Sequence, residues 1–422
     1  MIGPLFYIAC GLVLARLAAA CALSALNRRH VVRCRANPPP AVVALEDEAT
    51  RAKSAEYTLV HSRFGDLTDI FDAGLVLVVL GCGVLPWAYG AVSRWGTPGS
   101  VWTGAAFVFL TMTAFSACSL PWDAWDQFSL EERFGFNRTT PGRWLLDKVK
   151  GFVLALILGF PVLWALLALV RRAGPSWWLW AAGLVFALQV IMLVIYPHVI
   201  LPWFNKLSPL PDGELRSRLL ALGQRTGFRA GAIDVIDGSK RSNHSNAYFT
   251  GFGRFRRVVL YDTLIAQLSA AELEAVLAHE IGHYRLRHIP QRIGFSVVML
   301  VLGFGALAWL ARAPWFTADF GFPPQAEAPA FLLFVMLSGT VSFWLTPLSA
   351  AWSRHHEYQA DRFAREAMGD AGPMVGALRR LSETNLSNLT PHPLYSAFHY
   401  SHPTLVERES ALVGGARGPH AL

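Results

Sequence analysis

Seven blocks of apolar residues, each near the length that spans a bilayer, constrain this chain more than any other feature. They cover residues 5–26, 74–92, 101–120, 151–170, 177–200, 293–310 and 330–350. A helix needs about 20 apolar residues to cross a hydrocarbon core roughly 30 Å thick. Backbone N–H and C=O groups find no water there, so each block must satisfy them internally as helix. Composition agrees: 53% of the 422 residues are hydrophobic and 16% charged, too few charges to coat a soluble fold of this size. Trp87, Trp95, Trp102, Trp177, Trp178 and Trp180 stand at block ends, where amphipathic rings suit the headgroup layer. The expected fold class is mostly α: a polytopic membrane protein with seven transmembrane helices.

Basic residues set an orientation. Arg28, Arg29, Arg33, Arg35, Arg51, Lys53 and Arg63 fall in the first loop between blocks, and Arg133, Arg138, Arg143 and Lys148 in the third. The even loops hold Arg94, then Arg171 and Arg172, then Arg312. By the positive-inside rule the N-terminus is outside, with the large loops and the C-terminal tail cytoplasmic. The net charge of +8 therefore reads as topology, and no basic and aromatic motif marks a nucleic-acid surface. Cys10, Cys21, Cys34, Cys82 and Cys118 lie in or near the first three blocks without C-x-x-C spacing. That suits neither a disulfide scaffold nor a sulfur-ligated metal site. The first block lacks a basic leading region and a cleavage site, so it reads as a retained signal anchor. Only five lysines occur beside a large excess of arginine. This points to a GC-rich genome and a bacterial inner membrane.

The blocks divide five plus two. Four segments follow: 1–203 with the first five spans, a polar insert 204–289, the last two spans 290–350, and a polar tail 351–422. Insert and tail are expected to pack together as one cytoplasmic lobe. Within the insert, residues 212–222 carry helical periodicity, while 232–236 and 257–261 are β-branched and apolar, as strands should be. Residues 246–249 are a third candidate strand. Ser269 followed by Glu272 forms a capping box, opening a helix that holds Ala278-His279-Glu280-Ile281-Gly282-His283. The tail reads as helices over 352–368 and 373–383 and after Pro403.

The H-E-x-x-H run carries the chemistry. Residues four apart share a helix face, so His279 and His283 can direct ring nitrogens at one zinc ion about 2.0–2.1 Å away. Glu280 lies one residue round, close to the open coordination position. Zinc lowers the pKa of coordinated water from about 16 to roughly 7, and Glu280 can take that proton and pass it to a leaving amine. A third ligand is required. His288 follows His283 by five residues, whereas the metzincin pattern needs a histidine at six with a glycine between. Glu357 is the better candidate, four residues before Asp361 on a second helix face. Asp361 then suits the ring N–H of a ligand histidine, the partner such sites usually have. His355 and His356 stay open as rivals for the metal. A structural zinc site normally closes with four protein ligands. Three ligands beside a ready base favour an enzyme over a zinc-containing transporter or scaffold.

With these motifs the chain resembles the type I CAAX prenyl endopeptidases, polytopic membrane zinc metalloproteases. The resemblance rests also on Glu131-Glu132-Arg133-Phe134-Gly135-Phe136-Asn137, on Pro202-Trp203-Phe204-Asn205-Lys206, and on Asp212-Gly213-Glu214-Leu215. It extends to residues 239–249, to His399-Tyr400-Ser401-His402-Pro403, and to Glu407-Arg408. It implies seven helices around a water-filled chamber, capped by a small α+β lobe of the glutamate-ligand (gluzincin) type. It implies one Zn2+ per chain held by His279, His283 and Glu357, with Glu280 as base. It places His402 and Arg408 near the metal, steadying the oxyanion or the substrate carbonyl, and Asn246 on a strand that pairs with an extended substrate. The partners implied are the lipid bilayer and peptide or protein substrates, lipidated C-terminal peptides among them. Quality control of membrane proteins is the alternative within the same class. Oligomeric state is not readable from the sequence.

Overall fold

The computed structural model of the chain describes residues 3–97, 99–228, 232–250 and 257–414. Six helical runs are long and apolar enough to cross a membrane: α1 (Pro4–Ala36), α4 (Val101–Phe134), α5 (Pro141–Arg172), α6 (Gly174–Phe204), α9 (His288–Arg312) and α10 (Glu327–Met368). A bent pair, α2 (Glu48–Gly81) and α3 (Val84–Trp95), broken by 63°, is long and apolar enough for one more crossing when its two helices are taken together. The lobe adds helices α7 (Glu214–Arg225), α8 (Ala270–Arg285), α11 (Gly372–Thr384), α12 (Pro393–His399) and α13 (Leu405–Gly414). It also holds strands β1 (Leu207–Pro209), β2 (Ala232–Ile236), β3 (Ala247–Thr250) and β4 (Arg257–Tyr261).

The helices outrun the apolar blocks. The first basic loop is largely helix, because α2 begins at an Asp47 side chain that accepts from Thr50 N. Its charged residues then find partners on α1, as in the Arg28–Asp66 ion pair at 2.6 Å. The second apolar block, 74–92, straddles the bend at Gly83, which adopts φ 71°, a left-handed conformation that glycine takes without a Cβ penalty. The seventh span continues into the tail as α10, with only a tight turn at Phe343–Leu345. Pro347 sits in the first turn after it, where a missing N–H costs little. The boundary at 350 therefore falls inside one rod that carries both membrane span and Glu357.

Two packed cores lie at opposite ends of the spans. The lobe core joins Leu219, Leu222, Ile233, Val258, Leu260, Leu277, Ile281 and Leu378. The other core joins Leu85, Phe107, Leu167, Leu307, Phe316, Phe331 and Leu332. Between them the helices pack sparsely. Only 11% of the apolar window of α1, and the same share of α9, is buried within the protein. The remainder of each window faces lipid or the space between the helices.

The lobe sheet has strand order β1-β2-β4-β3. β2 and β4 run parallel in the middle, and β3 pairs antiparallel with β4, Tyr248 facing Val259. Both faces of β4 are covered. Val258 and Leu260 face the lobe core with Ile281, while Val259 packs with Leu201 and Ile236. This explains the continuous apolar run Val258-Val259-Leu260. Strand β1 is only three residues long and carries no alternating signal, so the sequence pattern does not announce it. β3 lies at the edge with one described neighbour, leaving a row of backbone groups free for pairing.

Candidate metal centre

The reciprocal capping box of Ser269 and Glu272 starts α8, which fixes where the H-E-x-x-H face points. Ala275, Ala278 and Ile281 are fully buried and hold the opposite side of that helix in the lobe core. α8 crosses α10 closely. At the crossing a Cβ on Gly282 would stand 3.1 Å from Ala360 Cα and 3.2 Å from its carbonyl oxygen. Glycine is needed for this approach, and the approach brings Glu357 to the two histidines.

His279, His283 and Glu357 offer ligand atoms that all lie within 4.8 Å of one another. The Nε2 atoms of the histidines are 3.2 Å apart, and the carboxylate oxygens of Glu357 lie 3.3 Å from each of them. Two ligands each about 2.0–2.1 Å from a tetrahedral ion stand roughly 3.4 Å apart, so the spacing matches a metal at their centre. Glu357 Oε2 is buried without a hydrogen-bond donor, an expensive position for a carboxylate oxygen unless a cation completes it. The residues fit the metal that the motif implies.

Asp361 accepts at 2.8 Å from Nδ1 of His279, on the side of the ring away from Glu357. Burial disfavours the charged His279 ring, but the carboxylates of Asp361 and Glu357, 2.8 and 3.3 Å away, outweigh it and push the pKa up to about 9. Glu280 is half-buried on the same turn. Burial lifts its carboxyl above the ordinary range, with His279 and His283 pulling the other way. A base shifted upward holds a proton better at working pH.

His402 reaches the cluster from the loop after α12, its Nε2 3.4 Å from Glu357 Oε1 and its side chain 61% exposed. Arg408 lies beside the cluster, against Asp361 and His279. Its Nε and Nη2 donate to the two oxygens of Asp361 at 2.8 and 2.6 Å, and Nη2 lies 3.4 Å from His279 Nδ1. It is 9% exposed. The physical reason is pairing: a buried carboxylate needs a counter-charge, and Asp361 takes two of the guanidinium's nitrogens. Asn246 is exposed at the head of β3, its Oδ1 accepting from Ala247 N at 2.8 Å. The rival histidines are engaged otherwise, His356 Nε2 with Gln291 at 3.0 Å and His355 Nε2 with Gln359 at 3.0 Å.

Arg354 supports the cluster from the same helix as Glu357. One turn before Glu357, its Nη1 donates to the carbonyls of Ser396, Ala397 and Tyr400, the last at 2.7 Å. It ties the loop bearing His402 to the helix bearing Glu357. An arginine inside a polar helical stretch gives no sign of such a target.

Comparison with known proteins agrees with this geometry. Residues 27–206 match the family described as CAAX prenyl protease N-terminal, five membrane helices, and residues 209–415 match peptidase family M48. CAAX prenyl protease 1 homolog of Arabidopsis thaliana is 37% identical over 89% of this chain and 90% of its own length. CAAX prenyl protease 1 of Saccharomyces cerevisiae is 37% identical over 89% and 88%. The crystal structure of S. mikatae Ste24p superposes with a TM-score of 0.90 at 32% identity, covering 98% of this chain and all of that one. The chain belongs to the CAAX prenyl protease 1 family. It is a membrane zinc metalloendopeptidase of that type.

Two motifs from distant parts of the sequence, residues 131–137 and 239–249, meet in the fold. Glu131, after a π-helical turn at Asp126–Leu130, accepts from Tyr57 Oη at 2.8 Å and pairs with His61 and His244 at 3.2 and 3.1 Å. Phe136 stacks on His244 with ring centres 4.0 Å apart. Asn243 N donates to the Phe136 carbonyl at 3.0 Å. The third-loop motif thus docks the segment that leads into edge strand β3. Burial disfavours the charged His244 ring, yet hydrogen bonds to Glu131 and Asn385 raise its pKa overall.

Proposed function

We propose that this protein cleaves lipidated C-terminal peptides, bound in extended form along the free edge of β3, at one zinc ion per chain held by His279, His283 and Glu357. The observation that carries the reading is the matched set of 3.2 and 3.3 Å spacings among those ligand atoms, beside Glu280. Zinc in that place supplies Lewis acidity toward a scissile carbonyl and acidifies water for attack. Glu280 takes the water proton at its carboxylate and hands it to the departing amine. His402, exposed toward the open side of Glu357, donates to the carbonyl oxygen as negative charge develops; a preorganised donor there is worth about 3–4 kcal/mol. Asp361 accepts the Nδ1 proton of His279, which keeps the Nε2 lone pair directed at the ion. Arg408 holds Asp361 in place rather than touching substrate. β3, introduced by Asn246, pairs with substrate backbone by strand addition, which tolerates varied side chains.

Two neighbouring cavities favour a path for an amphiphile. One of about 500 Å³ is lined by His402, Arg408 and Tyr400. A second of about 370 Å³ is lined by Asp66, Asp69 and His61 on α2 and shares His399 and Tyr400 with the first. Carboxylates at span depth belong beside water, not lipid, which fits a hydrated chamber. The basic loops orient the lobe and the C-terminal tail to the cytoplasm, with the N-terminus outside, in a bacterial inner membrane.

The test is a matched pair of peptides, prenylated and unmodified, given to native protein and to Glu280→Gln. Zinc content should stay at one per chain in the variant while cleavage falls by about 10²–10⁴-fold. Full activity in Glu280→Gln sinks the mechanism. Equal cleavage of the two native-enzyme substrates removes the lipid from the proposal and leaves general turnover of membrane proteins.

A further inference from the structure

The two motif histidines are held by different means, His279 by a carboxylate and His283 by another histidine. His283 Nδ1 lies 2.9 Å from His288 Nδ1. His288 Nε2 lies 2.8 Å from Gln359 Oε1, and Gln359 Nε2 lies 3.0 Å from His355 Nε2. His288 is 1% exposed. Its ring is stacked on His356 at 3.9 Å between centres and 5° between planes, and His356 in turn is held by Gln291.

A single constraint assigns every proton in this chain. If His283 offers its Nε2 lone pair to a metal, the neutral ring carries its proton on Nδ1. That N–H can only donate to His288 Nδ1, so His288 accepts there and carries its own proton on Nε2. The second N–H donates to Gln359 Oε1. The amide of Gln359 then presents its nitrogen to His355 Nε2, which accepts. Each link has one donor and one acceptor, and the orientation of Gln359 is the one the sequence of donors requires. Were His283 bound through Nδ1, the one lone pair of that atom would go to the metal and its 2.9 Å contact with His288 Nδ1 would carry no hydrogen bond.

We infer that His288 is a positioning residue of the metal centre. It fixes the tautomer and ring angle of His283 through a neutral His288–Gln359–His355 relay, as Asp361 does for His279 through a charged one. The five-residue spacing that rules His288 out as a third ligand of the metzincin kind places it behind His283. The turn that allows this is at Arg287, a non-glycine residue at φ 60°, so that His288 opens α9 folded back against α8. The inference rests on His283 being a ligand, as proposed above.

The experiment measures the zinc dissociation constant of the full-length, detergent-solubilised protein by competition with a chelator. His288→Leu should weaken zinc by about 10–100-fold. His288→Asn, whose Oδ1 replaces Nδ1 as acceptor, should stay within about threefold of native. Native affinity in the leucine variant overturns the inference, and so does an asparagine variant as weak as leucine, since the loss would then be one of packing. Should His288→Leu fail to fold, Gln359→Met against Gln359→Glu carries the same contrast at the next link. The glutamate accepts from His288 and keeps affinity, whereas the methionine loses it. Equal affinity in that pair overturns the relay. His283→Ala separates this inference from its premise. Zinc surviving His283→Ala removes the ligand assignment itself. Zinc lost there but kept in His288→Leu removes only the orienting role.

Discussion

The crossing of α8 and α10 and the span α9 are both helical, yet they differ in the room they leave for a larger side chain. At the crossing, Gly282 has Ala360 backbone atoms and Phe363 Cβ between 3.1 and 3.2 Å from where its own Cβ would be. In the span α9 the same construction at Gly303 meets nothing within 4 Å. The metal cluster is therefore set by contact packing, which transmits sub-ångström shifts because interiors are close-packed. The spans form a wall around space and transmit little. Hydrolysis needs ligand atoms held to a few tenths of an ångström, whereas admitting an amphiphilic chain needs room. One chain supplies both by confining tight packing to its two ends.

The most severe way to break this contrast is to enlarge Gly282. An alanine there already asks the neighbouring backbone to give by a few tenths of an ångström, and Gly282→Leu forces α8 away from α10. Overpacking of this kind costs about 1–3 kcal/mol, occasionally more, and here it also withdraws Glu357 from His279 and His283. We expect undetectable proteolysis and zinc content well below one per chain by elemental mass spectrometry. Full zinc occupancy in Gly282→Leu would show that the ligands do not depend on the crossing.

The site was more readable in the sequence than the shape around it, and the reason is physical. H-E-x-x-H and the Glu357–Asp361 pair are local patterns, since helix geometry alone puts residues four apart on one face. The spans were readable because bilayer thickness imposes a length on each of them. What escaped depends on contacts between distant residues. Arg408 meets Asp361 across 47 positions, and no pattern near either residue announces the pairing. Apolar character runs unbroken through the bend at Gly83, so hydropathy could not see two helices in 74–92. The helix at Pro393–His399 is seven residues long, too short for periodicity to declare it. The docking of Glu131 against His244 joins segments that carry no complementary signature beyond charge.

A smaller effect sharpens the comparison at the site itself. Asp361 and Arg408 form a buried pair behind His279, so Asp361→Asn leaves the guanidinium without its counter-charge. Removing one partner of such a pair destabilises by about 3–5 kcal/mol. The amide oxygen can still accept from His279, so zinc affinity should fall by about 10-fold, the low end for an outer partner of a ligand. Thermal unfolding and chelator competition on the solubilised protein read the two losses separately. Adding Arg408→Met to Asp361→Asn should recover part of the stability, because the stranded charge is gone, without recovering the affinity. A double variant no more stable than Asp361→Asn would mean that the pair is held by packing and not by charge.

The smallest expected effect is the most direct statement about the bundle. Gly303 lies mid-helix in α9 with open space where a Cβ would go, so Gly303→Ala meets no steric opposition. The substitution removes the backbone entropy that glycine loses on entering a helix, about 1 kcal/mol relative to alanine. Unchanged cleavage and a midpoint of thermal unfolding equal to native or a few degrees higher are the expected outcomes. The informative comparison is with Gly282→Ala under the same conditions, where the identical methyl group is added to the identical helical backbone. If the two alanines behave alike, packing at the crossing and openness in the spans are not what separates these regions. If Gly303→Ala lowers cleavage while Gly282→Ala does not, the wall of the chamber governs turnover more than the metal crossing does. A loss confined to Gly282 shows that the same helix propensity acts in both places and that only the neighbouring atoms differ.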